Sequence, residues 1–255
     1  MRALVSQYKS LFRIELEKYG FTNHKKTFYR VVNDVIQTLM LKNTRFDCTI
    51  EFNILPLSLL IDNLYCEGYS IAMLREQEMR GRSWRYHPSL LYDIGLKEKH
   101  RELHFNDGTK EDIVQNMMLI VLERVIPIFE RVDNCVSALQ ECVKFEEAVY
   151  GKVIFIPNNS TYFTHLKTEN YDEASLYIAA LIKGSEMAIA ENIADFERHG
   201  KFEQRDSYKA KKEQEVEKLK EELHRLLIPD ADFFRKLVAE NETKSLEYLQ
   251  SLVRV

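Results

Sequence analysis

The chain has 255 residues, enough to bury a sizeable core as one large domain or as a domain with a helical extension. Hydrophobic residues make up 45% and charged residues 30%, a balance that excludes disorder as a description of the whole chain. The formal net charge of −4 excludes a globally basic nucleic-acid binder, so any basic surface must be local.

Glycine (8) and proline (5) are scarce, which favours long regular elements and helices above all. The four cysteines, Cys48, Cys66, Cys135 and Cys142, contain no C-x-x-C pair, so reduced core thiols are expected rather than a disulfide framework. Cys135 and Cys142 lie seven apart, on one face of a helix. The first ten residues carry no apolar h-region, and no run of eighteen apolar residues occurs. A cytoplasmic protein without membrane contact is the expectation.

In chain order, residues 3–19 predict an amphipathic helix, with Leu4, Tyr8, Leu11, Phe12, Leu16 and Tyr19 at helical spacing and Gly20 as its stop. The period then changes to two. Lys26–Val32 and Val35–Lys42 predict a hairpin turning at Asn33-Asp34, residues that tolerate positive φ. Cys48–Leu55 alternates most clearly, as an antiparallel strand with one buried face, and Pro56 ends it. A fourth strand is expected around Tyr69–Leu74. Residues 75–104 are charged and irregular. Asn106-Asp107-Gly108 predicts a turn, and Thr109 caps a helix to about Arg131 that Pro127 should kink or split. A helix over about 133–148, a short apolar run at Val153–Ile156 and a turn at Asn158-Asn159-Ser160 follow.

The remainder predicts helices. Tyr171–Ile182, Gly184 and Ser185–His199 form a helical hairpin, with alanines that permit close approach. Residues 201–226 form a solvated helix whose Val216, Leu219, Leu223 and Leu226 make one narrow apolar seam. Two short helices, about 230–240 and 243–253, close the chain, with Asp230 or Asp232 and Thr243 as caps. The expected fold is α+β: an N-terminal helix on a small antiparallel sheet, then an all-helical C-terminal half. Its two parts are 1–150 and 151–255, unless the helical region packs with the first as one unit.

The order "LEKYGF", "KTFYRVVNDVIQ" and "IEFNI" over residues 12–55 is similar to an uncharacterised bacterial domain-of-unknown-function family, number 4304. The residues that carry the resemblance are Gly20-Phe21, Phe28-Tyr29-Arg30, Asp34 to Gln37, Trp84 and the helix with Pro127, within about 5–140. Lys42-Asn43-Thr44 and the absence of a glycine from the third strand depart from the pattern. The resemblance implies a fold, since the family carries no established activity.

The segment "REQEMRGRSWRYH" is the sharpest local feature. Arg80, Arg82, Trp84, Arg85 and His87, with Arg30 from the sheet, are the types that bind phosphate or stack on single-stranded bases. The structural alternative is a solvated loop whose Trp84 fills the core, with Glu76 and Glu78 cancelling part of the charge. His100 and His104, at i and i+4, are weak metal candidates because "HRELH" lacks the zincin order. No nucleophile elbow, phosphate loop or dinucleotide fingerprint is present, so neither a catalytic residue nor a cofactor is assigned. Residues 171–199 resemble one unit of a tetratricopeptide-type helical repeat, but no second copy follows at the repeat period, and an ordinary αα-hairpin is the preferred account. The leading functional expectation is a non-enzymatic binding or regulatory protein whose helical C-terminal region contacts another protein. Nucleic-acid or phosphate-ligand binding through the arginine-tryptophan segment is the alternative, and an enzyme with an unrecognised site the third.

Overall fold

The computed structural model describes residues 2–43, 48–62, 64, 69–75, 114–115, 118–119, 121–150, 159–228 and 230–253. The described chain groups into two compact units, Met1–Ile156 with Ala239–Val255, and Pro157–Val238. No helix among these residues is long and apolar enough to cross a membrane.

The first unit is α+β. Helix α1 (Arg2–Leu16) tightens into a 3-10 turn at Glu17–Tyr19 and stops at Gly20, whose φ of 78° is left-handed. Only glycine adopts that geometry without steric cost. Five antiparallel strands follow in the order β1-β2-β3-β4-β5. They are β1 (Thr22–His24), β2 (Thr27–Val32), β3 (Val35–Asn43), β4 (Cys48–Pro56) and β5 (Tyr69–Arg75). The β2–β3 hairpin turns on two residues, with Val32 paired to Val35 and Asn33 at φ 49°. Four of the strands fall where the sequence predicts them, but the wet face expected of Cys48–Leu55 is not found: Asn53 and Leu55 are buried as Phe52 and Ile54 are, because both faces of the sheet are covered. The three-residue β1 is too short to show a period.

Strand register sorts the side chains onto two faces. Phe28, Leu39 and Phe52 lie side by side across the sheet, as do Tyr29, Thr38 and Asn53 on the opposite face. The first face is covered by Tyr8, Phe12 and Leu16 of α1 and by Val125, Ile128, Phe129, Cys135 and Ala138. The second packs Tyr29, Ile36 and Leu55 with Leu57, Ile61, Leu64 and Leu249.

A π-helical turn at Val121–Val125 precedes helix α2 (Ile126–Arg131), in which Pro127 sits at the first turn. Proline has no N–H and collides with the carbonyl four residues back, so a local change of helical register relieves both problems. Helix α3 (Cys135–Tyr150) comes next.

The second unit is helical. It holds α4 (Asn159–Lys167), α5 (Tyr171–Arg198), α6 (Phe202–Leu227) and the first turns of α7 (Ala231–Val253). Three expectations are corrected here. Asn159-Ser160 begins α4 and does not form a turn. Residues 171–199 do not form a hairpin: α5 runs for 28 residues straight through Gly184, and the reversal comes at Gly200, with φ 66°. The likeness to a tetratricopeptide unit fails with that turn. The two short closing helices are one helix of 23 residues, α7. Thr243 caps nothing, because its hydroxyl donates to Ala239 O within the helix at 2.9 Å. Asp230 is the cap, accepting Phe233 N–H at 3.1 Å.

The units also divide differently from a single cut near residue 150. The last half of α7 groups with the sheet unit because it fills a polar and apolar niche there. Asn241 Nδ2 donates to Ser58 O at 2.9 Å, and Ser245 Oγ donates to Leu57 O at 2.7 Å and accepts Ile61 N–H at 2.8 Å. Leu249 is buried beside them.

Candidate interaction surface

Arg30 is the one proposed anion-binding residue within the described chain, and it is engaged inside the fold. Register places it across from Gln37. Its Nε donates to Gln37 Oε1 at 2.6 Å, and a guanidinium nitrogen donates to Tyr19 O at 2.7 Å. The guanidinium also lies 4.8 Å from the Phe21 ring centroid. Burial pushes the Arg30 pKa below its ordinary value, with Glu130 opposing. Gln37 is fully buried and spends its amide on the end of α2, donating to Phe129 O at 2.6 Å and Val132 O at 2.9 Å. Those carbonyls have no partner within the helix. The arginine therefore joins the end of α1 to the sheet, and the glutamine joins the sheet to α2.

The hairpin tip is used in the same way. Asp34 Oδ1 accepts the Cys135 N–H at 2.9 Å, at the start of α3. Asn134 and Ser137 satisfy the next donors reciprocally, Ser137 N–H to Asn134 Oδ1 at 2.9 Å and Asn134 N–H to Ser137 Oγ at 3.1 Å. Cys135 is buried and its thiol is free of any disulfide.

Arg80, Arg82, Trp84, Arg85, His87, His100 and His104 lie outside the described residues, as do the turn at 106–108, the Thr109 cap and the run 153–156. Among the described residues no group of three or more His, Cys, Asp or Glu could hold a metal ion.

In the helical unit the interior is built on tyrosines. Tyr162 and Tyr177 stack with ring centroids 5.1 Å apart. The Tyr162 hydroxyl donates to Glu222 and the Tyr177 hydroxyl to Asn159 Oδ1. Burial, then the bond to Glu222, holds the Tyr162 phenol far above the ordinary tyrosine range. Burial likewise lowers the His165 pKa, against the opposing charge of Glu173. Both stacked phenols thus find a partner in the same unit, as buried phenols require.

The outer surface differs. One face of α5 packs on α6 through Ala174, Ile178 and Ile182 against Leu219, Leu223 and Leu226, the seam the sequence predicts. Glu197–Arg205 at 3.0 Å and Asn192 Nδ2 to Tyr208 Oη at 3.1 Å continue the pairing. Among the described residues nothing packs on the opposite face of α5, yet it is rich in small and apolar residues. Leu176 is 61% exposed and Met187 56%. Ala179, Ala180, Gly184, Ala190 and Ala194 are exposed beside them. These residues were legible as alanines that let helices approach. The missed signal is that two separate apolar stripes run along one helix, only one of which α6 uses.

No family model, curated protein or solved structure matches the chain.

Proposed function

We propose that the chain is a non-enzymatic binding protein that acts through protein–protein contacts made by its helical unit. The observation that carries this reading is the uncovered apolar face of α5, with Leu176 61% and Met187 56% exposed on a helix whose other face is already packed. Water-facing apolar rows of this kind are stabilised by covering them with another apolar surface. The engagement of Arg30 by Gln37 and Tyr19 gives the phosphate-binding alternative no support from the sheet.

The test is affinity purification from native lysate, with the wild-type chain and a Leu176→Glu/Met187→Glu variant as baits. A stoichiometric protein retained by the wild type and lost by the variant is expected. Co-purifying RNA or nucleotide in its place, or a partner that both baits retain equally, contradicts the proposal.

A further inference from the structure

We infer that the outer face of α5 is a self-association surface on which a second copy of the chain docks antiparallel, α5 against α5. The inference rests on the proposed reading of this face as a protein-contact surface and goes further by naming the occupant.

The first ground is spacing. Leu176, Ala180, Lys183, Met187, Ala190 and Ala194 follow one another at intervals of four and three residues, and all are exposed. A 3-4 repeat is the pattern that keeps one stripe of a helix facing a partner helix along its length. The stripe lies opposite Ala174, Ile178 and Ile182, which α6 covers. The alanines permit close axial approach, at about 8 Å.

The second ground is charge complementarity, which also selects the direction. In a parallel pair Lys183 would face Lys183 of the other copy, two like charges within the seam. An antiparallel pair with its two-fold axis beside Ser185 sets Leu176 against Ala194, Ala180 against Ala190, and Lys183 near Met187. On the same side of the seam, Lys183 then meets Glu186 of the second copy, and the two-fold repeats that pair. Arg198 meets Glu173 in the same way, again twice. The like charges this arrangement brings together are Asp172 with Glu197 at the solvated ends and Glu186 with its own copy beside the axis, where Lys183 of each copy lies between them; all are exposed. Glu186 lies 3.6 Å from Lys220 of its own chain, with its side chain 54% exposed, so it retains acceptor capacity toward a second lysine. A long lysine in the seam keeps its stem on the apolar row and its charge at the rim.

Sedimentation equilibrium of the whole chain tests this. The apparent mass is expected to rise with concentration from the 30.2 kDa of one chain toward twice that value. Met187→Lys is expected to hold it at the monomer value with unchanged helicity, because it sets a second ammonium against Lys183 of the other copy. Lys183→Glu and Glu186→Lys, each alone, are expected to weaken the dimer, because each places like charges at 183 and 186. An equimolar mixture of the two is expected to restore it. A Leu176→Cys and Ala194→Cys mixture is expected to cross-link on oxidation, with neither variant doing so alone. Those two sites are roughly 27 Å apart on one helix, too far for a disulfide in any other pairing of these faces. A monomer at every concentration overturns the inference, as does a dimer indifferent to Met187→Lys or cross-linking of Ala194→Cys with itself. None of these outcomes bears on whether a different protein, recovered from lysate in a Leu176/Met187-dependent way, uses the same face.

Discussion

Asp34 and Cys135, 101 positions apart in the chain, are joined by both oxygens of the aspartate: Oδ1 accepts the backbone N–H at 2.9 Å and Oδ2 the thiol at 3.1 Å. A two-residue hairpin turn thereby supplies the cap of a helix. Asp34→Ala is expected to destabilise the sheet unit by about 1–2 kcal/mol, the usual cost of losing such a cap. Asp34→Asn keeps an acceptor for the N–H and is expected to cost less. Urea denaturation checks both, and faster thiol labelling of Cys135 in Asp34→Ala is the accompanying sign.

Arg30→Ala removes the partner of a fully buried glutamine oxygen and of the Tyr19 carbonyl. A loss of roughly 2–4 kcal/mol is expected, because buried acceptors are left unpaired. Arg30→Lys is expected to recover only part of it, since an ammonium cannot serve both acceptors with the guanidinium's fork. Thermal unfolding decides. An unchanged melting temperature would return Arg30 to consideration as a ligand residue.

Gly184 lies inside α5, where an added Cβ would meet nothing within 4 Å. Gly184→Ala is therefore expected to stabilise the helical unit by about 0.5–1 kcal/mol. Gly200→Ala, at φ 66° in the true reversal, is expected to destabilise it by about 1 kcal/mol or more. The opposite ranking in chemical denaturation would restore a hairpin at Gly184.

The helical unit should lose stability at both ends of the pH scale. The native Tyr162 phenol holds its proton more tightly than an unfolded one, whose ordinary pKa is 10.0. Its contribution is complete below that pH and is lost as pH rises above it. The native His165 imidazole holds its proton less tightly than an unfolded one, whose ordinary pKa is 6.5. Its contribution is complete above that pH and is lost as pH falls through the lowered native value. Urea midpoints measured across pH are expected to show the alkaline decline flattened in Tyr162→Phe and the acid decline flattened in His165→Gln.

The sheet was legible because its strands are rich in β-branched, aromatic and other apolar residues and the Asn33-Asp34 turn carries its own chemistry, whereas burial of its second face, by Leu57, Ile61 and the distant Leu249, depends on residues outside the strands. The Gly20 stop and the Asp230 cap were legible for the same local reason. Gly184 and Thr243 misled because their local preferences are outweighed: helix α5 is paired with α6 along its length, and the Thr243 hydroxyl finds an acceptor within α7. Helix α4, with Thr161, Tyr162, Phe163 and Thr164, has poor helix formers and is held by burial of Tyr162 and Leu166. At the candidate surface, residue types alone could not separate the α5 stripe that α6 covers from the one left open. Arg30 looked like a ligand residue because its partners, Gln37 and Tyr19, become neighbours only through strand register and the end of α1.

Native mass spectrometry of the protein purified from its own cells, wild type beside Leu176→Glu/Met187→Glu, bears most directly on the central claim. The account predicts a protein adduct, either a second copy or another chain, on the wild type and none on the variant. A nucleic-acid or nucleotide adduct in its place, or a protein adduct of equal abundance on both, would contradict it.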